Sequence, residues 1–131
     1  MADNVTGGCF CGAIRYTASG EPVLQLICYC KDCLATCGTA GYAGYMVKEK
    51  DFSVTKGKPI SHTRSGQKGR SVHRHFCGEC GSNLFGVTEL GLISVAAGSL
   101  DNPAIFQPTK KVFVSDAPHW ANIPEYLEEM E

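Results

Sequence analysis

Cysteines are the residues of this chain best suited to chemistry, and seven of the eight fall in three short clusters. The three clusters are Cys9-Phe10-Cys11, Cys28-Tyr29-Cys30-Lys31-Asp32-Cys33 and Cys77-Gly78-Glu79-Cys80. A thiolate is a soft anionic ligand, and zinc takes four ligands in a tetrahedron. A Cys-x-Cys pair is also too close for an easy disulfide between its members. The spacing therefore predicts metal binding, with zinc as the expected ion.

The first and third clusters each supply two ligands, so together they can form one closed four-cysteine site. Closed zinc sites are structural, and this one would join the N-terminal segment to the middle of the chain. Neighbouring glycines allow backbone amides to point at the sulfur atoms and offset their charge. The expected ligands of the structural zinc are Cys9, Cys11, Cys77 and Cys80.

The middle cluster gives three ligands from six consecutive residues, namely Cys28, Cys30 and Cys33. Three protein ligands leave the fourth position for water or a substrate atom, which is the pattern of a catalytic zinc. A different partition joins Cys30 and Cys33 with the third cluster as an ordinary zinc ribbon. That partition leaves three other cysteines unused, so the division into four and three ligands is the better hypothesis.

Two nearby residues keep alternative interpretations. Cys37 follows Cys33 by four residues, and it could be a fourth ligand, a reactive thiol or a small buried residue. His75 lies two residues before Cys77, so in a strand both side chains point to one face. His75 is either a packed or surface histidine, or it binds the metal or donates a hydrogen bond to a metal ligand.

Length and composition restrict the class of protein. The chain has 131 residues, enough for one domain with a hydrophobic core. Twelve Lys and Arg residues balance thirteen Asp and Glu, which argues against a nucleic-acid partner because such proteins usually carry a basic excess. The N-terminus does not resemble a signal peptide, and no apolar run is long enough for a membrane span. We therefore expect a cytoplasmic protein with reduced cysteines.

One short basic segment stands out against this balanced charge. It contains Lys68, Arg70 and Arg74, with His73 and His75 beside them. Such a segment is typical of a solvated strand face. It could also bind the carboxylate of a ligand, because Arg and Lys form charge-assisted hydrogen bonds with carboxylates.

Short apolar segments divided by glycine turns predict a mainly β domain. The pattern favours strands over 13–18, 23–28, 41–47, 71–76, 83–87, 92–97 and 111–114, and one helical turn over 31–36. Phe52–Thr55 and Ile60–Arg64 flank a Lys-Gly-Lys-Pro turn and are expected to form a hairpin. The end of the chain, Ile123–Met130, is expected to be a short helix, with Pro124 in its first turn.

At these residues the chain resembles the glutathione-dependent formaldehyde-activating enzyme family, whose domain is shared with centromere protein V. The matching stretches run over nearly the whole chain in the expected order. They are Gly8–Tyr16, Cys28–Cys33, Phe76–Ser82, Gly98–Pro103 and Pro118–Trp120. Together these motifs are specific, although each alone is weak.

The resemblance implies a β-tent-like fold of antiparallel sheets, with residues 1–131 as one domain. It implies a structural zinc on the four cysteines of the first and third clusters. It also implies a second zinc on Cys28, Cys30 and Cys33, where the family places its chemistry. The implied activity is that of a carbon–sulfur lyase-type enzyme that acts on S-hydroxymethylglutathione, the adduct of formaldehyde and glutathione.

The partners expected on this basis are a small-molecule thiol or aldehyde, with no nucleic acid and no membrane. Lys31, Lys68, Arg70 and Arg74 are the cations that could hold the carboxylates of glutathione. Two positions depart from the family, which often has histidine where this chain has Tyr29 and Lys111. The alternative function is a non-catalytic zinc module that binds a thiol metabolite or a protein.

Overall fold

A computed structural model describes residues 4–65 and 71–130, and strands form most of its regular structure. The elements in chain order are β1 (Val5–Gly8), β2 (Arg15–Ala18), β3 (Leu24–Cys28), α1 (Lys31–Cys37), β4 (Tyr42–Lys48), β5 (Phe52–Lys56), β6 (Ile60–Ser65), β7 (Ser71–Phe76), β8 (Asn83–Thr88), β9 (Leu92–Ala96), β10 (Lys110–Val112) and β11 (Glu128–Met130). The mainly β fold expected from the sequence is confirmed.

The described strands form two sheets. The small sheet has the order β1-β2-β5, and the large sheet has the order β11-β10-β3-β4-β9-β8-β7-β6. Pairing is antiparallel except on both sides of β10, which runs parallel to β3 and to β11. No helix in the described ranges has the length and apolar character that a membrane crossing demands.

The main core lies between the two sheets. Tyr16 on β2 packs on Phe52, and Phe52 packs on Phe85 of β8, with ring centroids 5.3 and 4.6 Å apart. Val47 and Val95 from the middle of the large sheet are almost completely buried in the same cluster. Alternate residues of each strand point to opposite faces, so these side chains define one face of the large sheet.

The other face of the large sheet carries a second apolar cluster. Leu26, Met46 and Val112 are buried there, together with Cys28 and Cys30. Met46 follows Tyr45 and precedes Val47, which both belong to the main core, so the alternation of β4 places it on the opposite face. Cysteines of the middle cluster are therefore built into this second face.

The expected hairpin between Phe52–Thr55 and Ile60–Arg64 is wrong. Both segments are strands, but β5 pairs with β2 of the small sheet and β6 pairs with β7 of the large sheet. Gly57 has a positive φ of 76°, and a Cβ there would lie 2.3 Å from the carbonyl oxygen of Ala13. The turn thus packs tightly against the chain and carries it from one sheet to the other.

The expected C-terminal helix over Ile123–Met130 is also wrong. A turn in which Leu127 N–H donates to the Pro124 carbonyl (3.4 Å) leads into β11. The backbone N–H of Glu128 donates to the Thr109 carbonyl at 3.0 Å. An isolated helix this short has only marginal stability in water. The edge of β10 offers backbone groups for pairing, so this segment forms a strand.

Candidate functional site

The first and third cysteine clusters occupy two turns, each closed by a backbone hydrogen bond from a glycine to the carbonyl of the first cysteine. Gly12 N–H donates to the Cys9 carbonyl (3.2 Å), and Gly81 N–H donates to the Cys77 carbonyl (2.8 Å). Both glycines have positive φ, 82° and 78°, a conformation in which a Cβ is unfavourable. The two turns are cysteine knuckles, one between β1 and β2 and the other between β7 and β8.

The two knuckles bring four sulfur atoms together, all within 4.8 Å of one another. Cys11 Sγ lies 3.7 Å from Cys9 Sγ and 3.8 Å from Cys77 Sγ, and Cys80 completes the group. We call this group the four-cysteine centre. It could hold a metal ion that joins the small sheet to the large sheet.

Backbone amides in both knuckles point at sulfur atoms. Ile14 N–H donates to Cys9 Sγ (3.2 Å), and Glu79 N–H donates to Cys77 Sγ (3.3 Å). Such hydrogen bonds favour the thiolate over the thiol. Burial raises the pKa of the Cys9 thiol, but hydrogen bonds from Ile14, Cys11, Cys77 and Gly12 together have the larger effect, and the pKa is lowered.

Ser82 connects the two knuckles directly. Its hydroxyl oxygen accepts a hydrogen bond from Phe10 N–H (3.0 Å) and lies 3.1 Å from Cys80 Sγ. Hydrogen bonds from the Ser82 hydroxyl and backbone lower the pKa of the Cys80 thiol to about 6. Cys9 and Cys80 are therefore arranged to carry negative charge, as metal ligands must. The Ala13 amide lowers the pKa of Cys11, but burial and hydrogen bonding with the three other cysteines raise it to about 11.

The middle cluster forms a second group, the three-cysteine centre, where β3 meets α1. Cys28 is the last residue of β3, Cys30 is the N-cap of α1, and Cys33 lies in its first turn. The three sulfur atoms lie within 4.8 Å of one another. Cys33 N–H donates to Cys30 Sγ (3.3 Å), which is the usual N-cap interaction with sulfur in place of oxygen.

Protons are shared unequally among these three thiols. Hydrogen bonds from Cys28 and Cys33, assisted by the amides of Cys33 and Asp32, hold the pKa of Cys30 far below its usual range. Hydrogen bonding to Cys30 raises the pKa of Cys28 to about 12, and that of Cys33 is raised through Cys28 and Cys30. Cys30 is therefore the thiol of this group that loses its proton most readily, and a bound cation would favour the thiolate at all three.

The three-cysteine centre forms part of the wall of a cavity of about 360 Å³ on the second face of the large sheet. Side chains from β3, β4, β7, β8, β9, β10 and β11 contribute to its lining, with α1 at one side. Most of the contributing side chains are apolar. They include Leu24, Leu26, Met46, Val72, Leu92, Val112, Phe113 and Met130.

The cysteines are therefore grouped as four and three, and the zinc-ribbon partition is not formed. Cys37 belongs to neither group, and its thiol donates to the Thr39 carbonyl at 3.1 Å. His75 is also outside both groups. Its ring stacks on Phe85 with centroids 4.5 Å apart, and its Nδ1 lies 3.0 Å from the His73 carbonyl, which can only accept.

The basic residues expected to bind a carboxylate are only partly within the described chain. Arg74 on β7 lines the cavity. Lys68 and Arg70 lie outside the described residues. Lys31 is exposed at the first position of α1. Asp32 also lines the cavity, and its carboxylate lies 3.9 Å from the guanidinium of Arg64.

Sequence reasoning missed Tyr42, Ser94 and Phe113, which all line the cavity. Tyr42 pairs with Cys28 across β3 and β4, and its hydroxyl donates to the Ser94 carbonyl (3.2 Å). Burial raises the pKa of the Tyr42 phenol, so it stays protonated. The register of β4 against β3 was the missing information, and the alternation of Leu24, Leu26 and Cys28 was the available signal.

The two departures from the family motifs do not lie at the cavity. Tyr29 is buried, and its backbone N–H donates to the Val112 carbonyl at 3.0 Å. Its hydroxyl is directed to the Asn122 carbonyl, 3.5 Å away. Lys111 is half-buried on β10 between two residues that pair with β3. Neither Tyr29 nor Lys111 is among the described lining residues.

A solved structure shares this fold, and comparisons of the sequence with known proteins show the family. A crystal structure of a Rhodobacter sphaeroides protein superposes with a TM-score of 0.62 at 18% identity, covering 81% of this chain and 98% of that one. A Halomonas elongata protein, provisionally named a glutathione-dependent formaldehyde-activating enzyme, is 30% identical over 89% of this chain and 79% of its own length. The model of the glutathione-dependent formaldehyde-activating enzyme family matches residues 4–116, and the chain belongs to that family.

Proposed function

We propose that this protein is a zinc-dependent carbon–sulfur lyase-type enzyme that forms or cleaves S-hydroxymethylglutathione, the adduct of glutathione and formaldehyde. The observation that carries the proposal is the placement of three grouped cysteines in the wall of a cavity. Family membership and the name of the Halomonas elongata relative support the choice of substrates.

The donor atoms of both centres suit zinc. Thiolates select soft or borderline metals, and a set of four closes a tetrahedral zinc site. A zinc ion on Cys28, Cys30 and Cys33 would supply a Lewis acid and would favour the thiolate of a bound thiol. A zinc ion on the four-cysteine centre would serve the fold, because all of its ligands come from the protein.

The residues around the three-cysteine centre bind and orient the reactants. Arg74 is the one Lys or Arg side chain among the described cavity residues, and it is suited to hold a glutathione carboxylate. Lys68 and Arg70, which adjoin β7 in the sequence, are further candidates for this contact. The apolar walls lower the local dielectric constant, which strengthens charge interactions inside the cavity.

The reaction balances without an oxidant or a reductant. The sulfur of glutathione attacks the carbonyl carbon of formaldehyde and forms the S–C bond. The C=O double bond becomes a C–OH group, and the thiol proton ends on that oxygen. Proximity and orientation of thiol and aldehyde in one cavity account for catalysis in this scheme.

The direct test is turnover above the uncatalysed rate. Zinc-loaded protein is mixed with glutathione and formaldehyde, and adduct formation is followed against buffer alone and against a Cys33→Ser variant. Acceleration by the unmodified protein, but not by Cys33→Ser, is the expected result. Cys37→Ser is the matched control, because Cys37 lies outside both centres.

Tight binding of glutathione without any acceleration of adduct formation would contradict an enzymatic function. It would identify the protein instead as a zinc module that carries a thiol metabolite. This alternative is distinct in its kinetics, because a carrier lowers the concentration of free glutathione and slows adduct formation in solution.

A further inference from the structure

The cavity face of the large sheet is unusually apolar for a face that is not covered by another sheet. Antiparallel sheets with one open face normally alternate apolar residues inside with polar residues outside. Here Tyr45 and Val47 on β4 belong to the main core. Met46 between them points to the cavity face, yet it is only 9% exposed. Leu24 and Leu26 on β3 line the cavity from the neighbouring strand. Such a face indicates an apolar ligand.

This apolar face is continuous with the three-cysteine centre. Leu26 precedes Cys28 by two residues on β3, so both side chains point to the same face. Val112 on β10 pairs with Cys28, and Met130 on β11 pairs with Val112. Cys28, Cys30, Leu26, Met46 and Val112 form one buried cluster. An occupant of the cavity is therefore adjacent to whatever group the sulfur atoms hold.

Formaldehyde is far smaller than this space. The cavity measures about 360 Å³, which falls within the range of roughly 300–1,000 Å³ found for pockets that bind drug-sized ligands. The hydroxymethyl group of the adduct contains one carbon and makes little use of the apolar walls. The volume is suited to an aldehyde that carries several more carbons.

The polar parts of glutathione are not suited to the same walls. Glutathione has two carboxylates, an amine and two peptide groups, and burial of such groups without partners is costly. Among the described lining residues, Arg74 is the single Lys or Arg, and Asp32 is an anion. The carboxylates of glutathione are therefore expected to bind near Arg74, which leaves the apolar part of the cavity for the aldehyde.

The backbone at Phe113 adds an independent observation. Phe113 has φ 56° and ψ 38°, and it is the one non-glycine residue in the described ranges with positive φ. A bulky residue in this conformation is strained, and such strain clusters at ligand sites. Phe113 adopts this conformation where it lines the cavity, next to Val112 in the chain.

We propose that the enzyme also accepts, and prefers to formaldehyde, an aldehyde with an apolar group of several carbons, which binds in the cavity lined by Leu24, Leu26, Met46, Leu92 and Phe113. This inference rests on the proposed function and specifies its substrate class. The reaction is RCHO plus glutathione giving the adduct GS–CH(OH)R. An S–C bond forms, the C=O double bond becomes C–OH, and the thiol proton moves to that oxygen.

Binding of stable adduct analogues tests the inference without turnover. In S-methyl-, S-butyl- and S-hexylglutathione, the alkyl group occupies the position of the aldehyde carbon and its substituent. Each methylene that leaves water strengthens binding by about fourfold. Calorimetry with zinc-loaded protein is expected to show S-butylglutathione at least about tenfold tighter than S-methylglutathione. Equal affinities for the three analogues would overturn the inference.

A cavity-filling variant localises the effect. Gly86 on β8 lines the cavity, and a Cβ there would lie 3.4 Å from Val72 Cγ1, in ordinary contact. Gly86→Val adds two methyl groups beyond this Cβ, and in the folded variant the gain from S-methyl to S-butyl is expected to fall by at least threefold. Ser53→Val, an exposed position on β5 of the small sheet, is the matched control and keeps the gain.

A second variant keeps the test decisive if Gly86→Val does not fold. Leu92 is half-buried on β9 and lines the cavity, so Leu92→Ala enlarges the cavity. The substitution removes apolar contacts with the alkyl group, so the gain from S-methyl to S-butyl is expected to fall by at least threefold, with the affinity for S-methylglutathione nearly unchanged. An unchanged gain in a folded Leu92→Ala protein would place the alkyl group elsewhere and contradict the inference.

Turnover measurements separate this inference from the proposed function. With glutathione fixed, kcat/KM is expected to rise at least tenfold from formaldehyde to pentanal. Acceleration with formaldehyde that falls steadily as the aldehyde lengthens would overturn the inference and leave the proposed function standing. Chain-length-dependent binding without turnover of any aldehyde would contradict the proposed function and, with it, the role of the apolar group as part of a substrate. Only the binding of an apolar group in the cavity would then remain.

Discussion

The four-cysteine centre and the three-cysteine centre use the same ligand type in different ways. The four-cysteine centre draws its sulfur atoms from two knuckles far apart in sequence, and Cys11 and Cys77 are separated by 66 positions. The three-cysteine centre takes all of its sulfur atoms from the junction of β3 with α1. The first borders the core between the sheets, whereas the second borders a cavity.

This difference assigns a separate task to each centre. A metal ion held by distant segments closes a long loop, and its binding free energy becomes folding free energy. A metal ion held by consecutive residues adds little long-range order, and three ligands leave room for an outside atom. The predictions below test whether stability belongs to the first centre and function to the second.

The largest expected effect is the loss of stability in Cys77→Ser or Cys80→Ser. Structural zinc contributes about 10–16 kcal/mol of apparent binding free energy in small zinc-finger peptides, which is comparable to the total stability of a domain. We expect either variant to be largely unfolded or to melt at a much lower temperature. Circular dichroism melts and elemental zinc content measure the two effects together.

Cys30→Ser in the three-cysteine centre is the comparison variant for these melts. Serine is itself a good N-cap, so α1 keeps its first turn and the fold should persist. A melt in which Cys30→Ser is the less stable protein would mean that the two centres have been assigned in reverse. Elemental analysis without zinc, together with oxidised cysteines, would contradict metal binding at both centres.

The second expected effect is the loss of turnover in Cys30→Ser or Cys33→Ser with the fold retained. Substitution of a residue that only hydrogen-bonds to a metal ligand typically lowers metal affinity or activity by about 10–100-fold. Loss of a ligand itself should therefore lower kcat/KM by more than about 100-fold. Zinc content should fall from two ions per chain to one. Steady-state kinetics and elemental analysis on the same preparation measure both quantities.

Cys37→Ser is the control for this loss of turnover. Cys37 lies just after Cys33 on α1, and its thiol contacts the Thr39 carbonyl and neither centre. The variant should keep two zinc ions and near-normal turnover. Loss of one zinc ion in Cys37→Ser would show that Cys37 is a fourth ligand and that the three-cysteine centre is closed.

Local spacing was sufficient to predict the two cysteine groups, because a knuckle is a short-range structure. Gly12 and Gly81 provide the positive φ that each turn needs. The turn at Gly57 was misread because its effect depends on the distant contact with Ala13. Leu127 and Met130 have a helix-like spacing, but the edge of β10 decides the structure of that segment.

The cavity could not be predicted from the same pattern. Leu26, Met46 and Val112 are typical core residues in sequence, and only the register of the strands shows that they share the face opposite the main core. Two apolar faces on one sheet give an almost continuous apolar strand, as in β4. Sequence alone does not distinguish a second core from a ligand cavity.

The third expected effect is a dependence of glutathione binding on the free thiol and on pH. S-methylglutathione cannot form a thiolate, so it should bind at least about tenfold more weakly than glutathione at the three-cysteine centre. Binding as thiolate releases a proton. Affinity should therefore rise about tenfold per pH unit and level off above the thiol pKa, ~8.5 for a cysteine thiol. Calorimetry in buffers of different ionisation enthalpy measures the proton release.

Two outcomes of that measurement separate the alternatives. Equal affinities for glutathione and S-methylglutathione, with no dependence on pH, would show that sulfur coordination is not the basis of binding. The same series on Cys33→Ser is the control, because the thiol preference should disappear there while the four-cysteine centre stays intact.

The smallest expected effect concerns the charge of the three-cysteine centre. Three thiolates outweigh the charge of one divalent zinc ion, so an incoming anionic thiol meets repulsion that a nearby cation must offset. Arg74 lines the cavity and is half-buried. Arg74→Gln should raise the KM for glutathione by about 3–10-fold with kcat nearly unchanged, since this contact is intermediate between exposed and buried ion pairs.

Arg74→Lys is the matched control because it keeps the charge and loses the bidentate geometry. It should recover part of the KM, and the difference between Arg74→Gln and the unmodified protein should shrink at high salt. The thermal melts of both variants should stay close to that of the unmodified protein, since Arg74 lines the cavity and belongs to neither cysteine centre. If KM is unchanged in Arg74→Gln, the carboxylates of glutathione bind elsewhere, and Lys31, Lys68 and Arg70 become the residues to test. A large drop in stability in both variants would show instead that Arg74 supports the sheet and not the substrate.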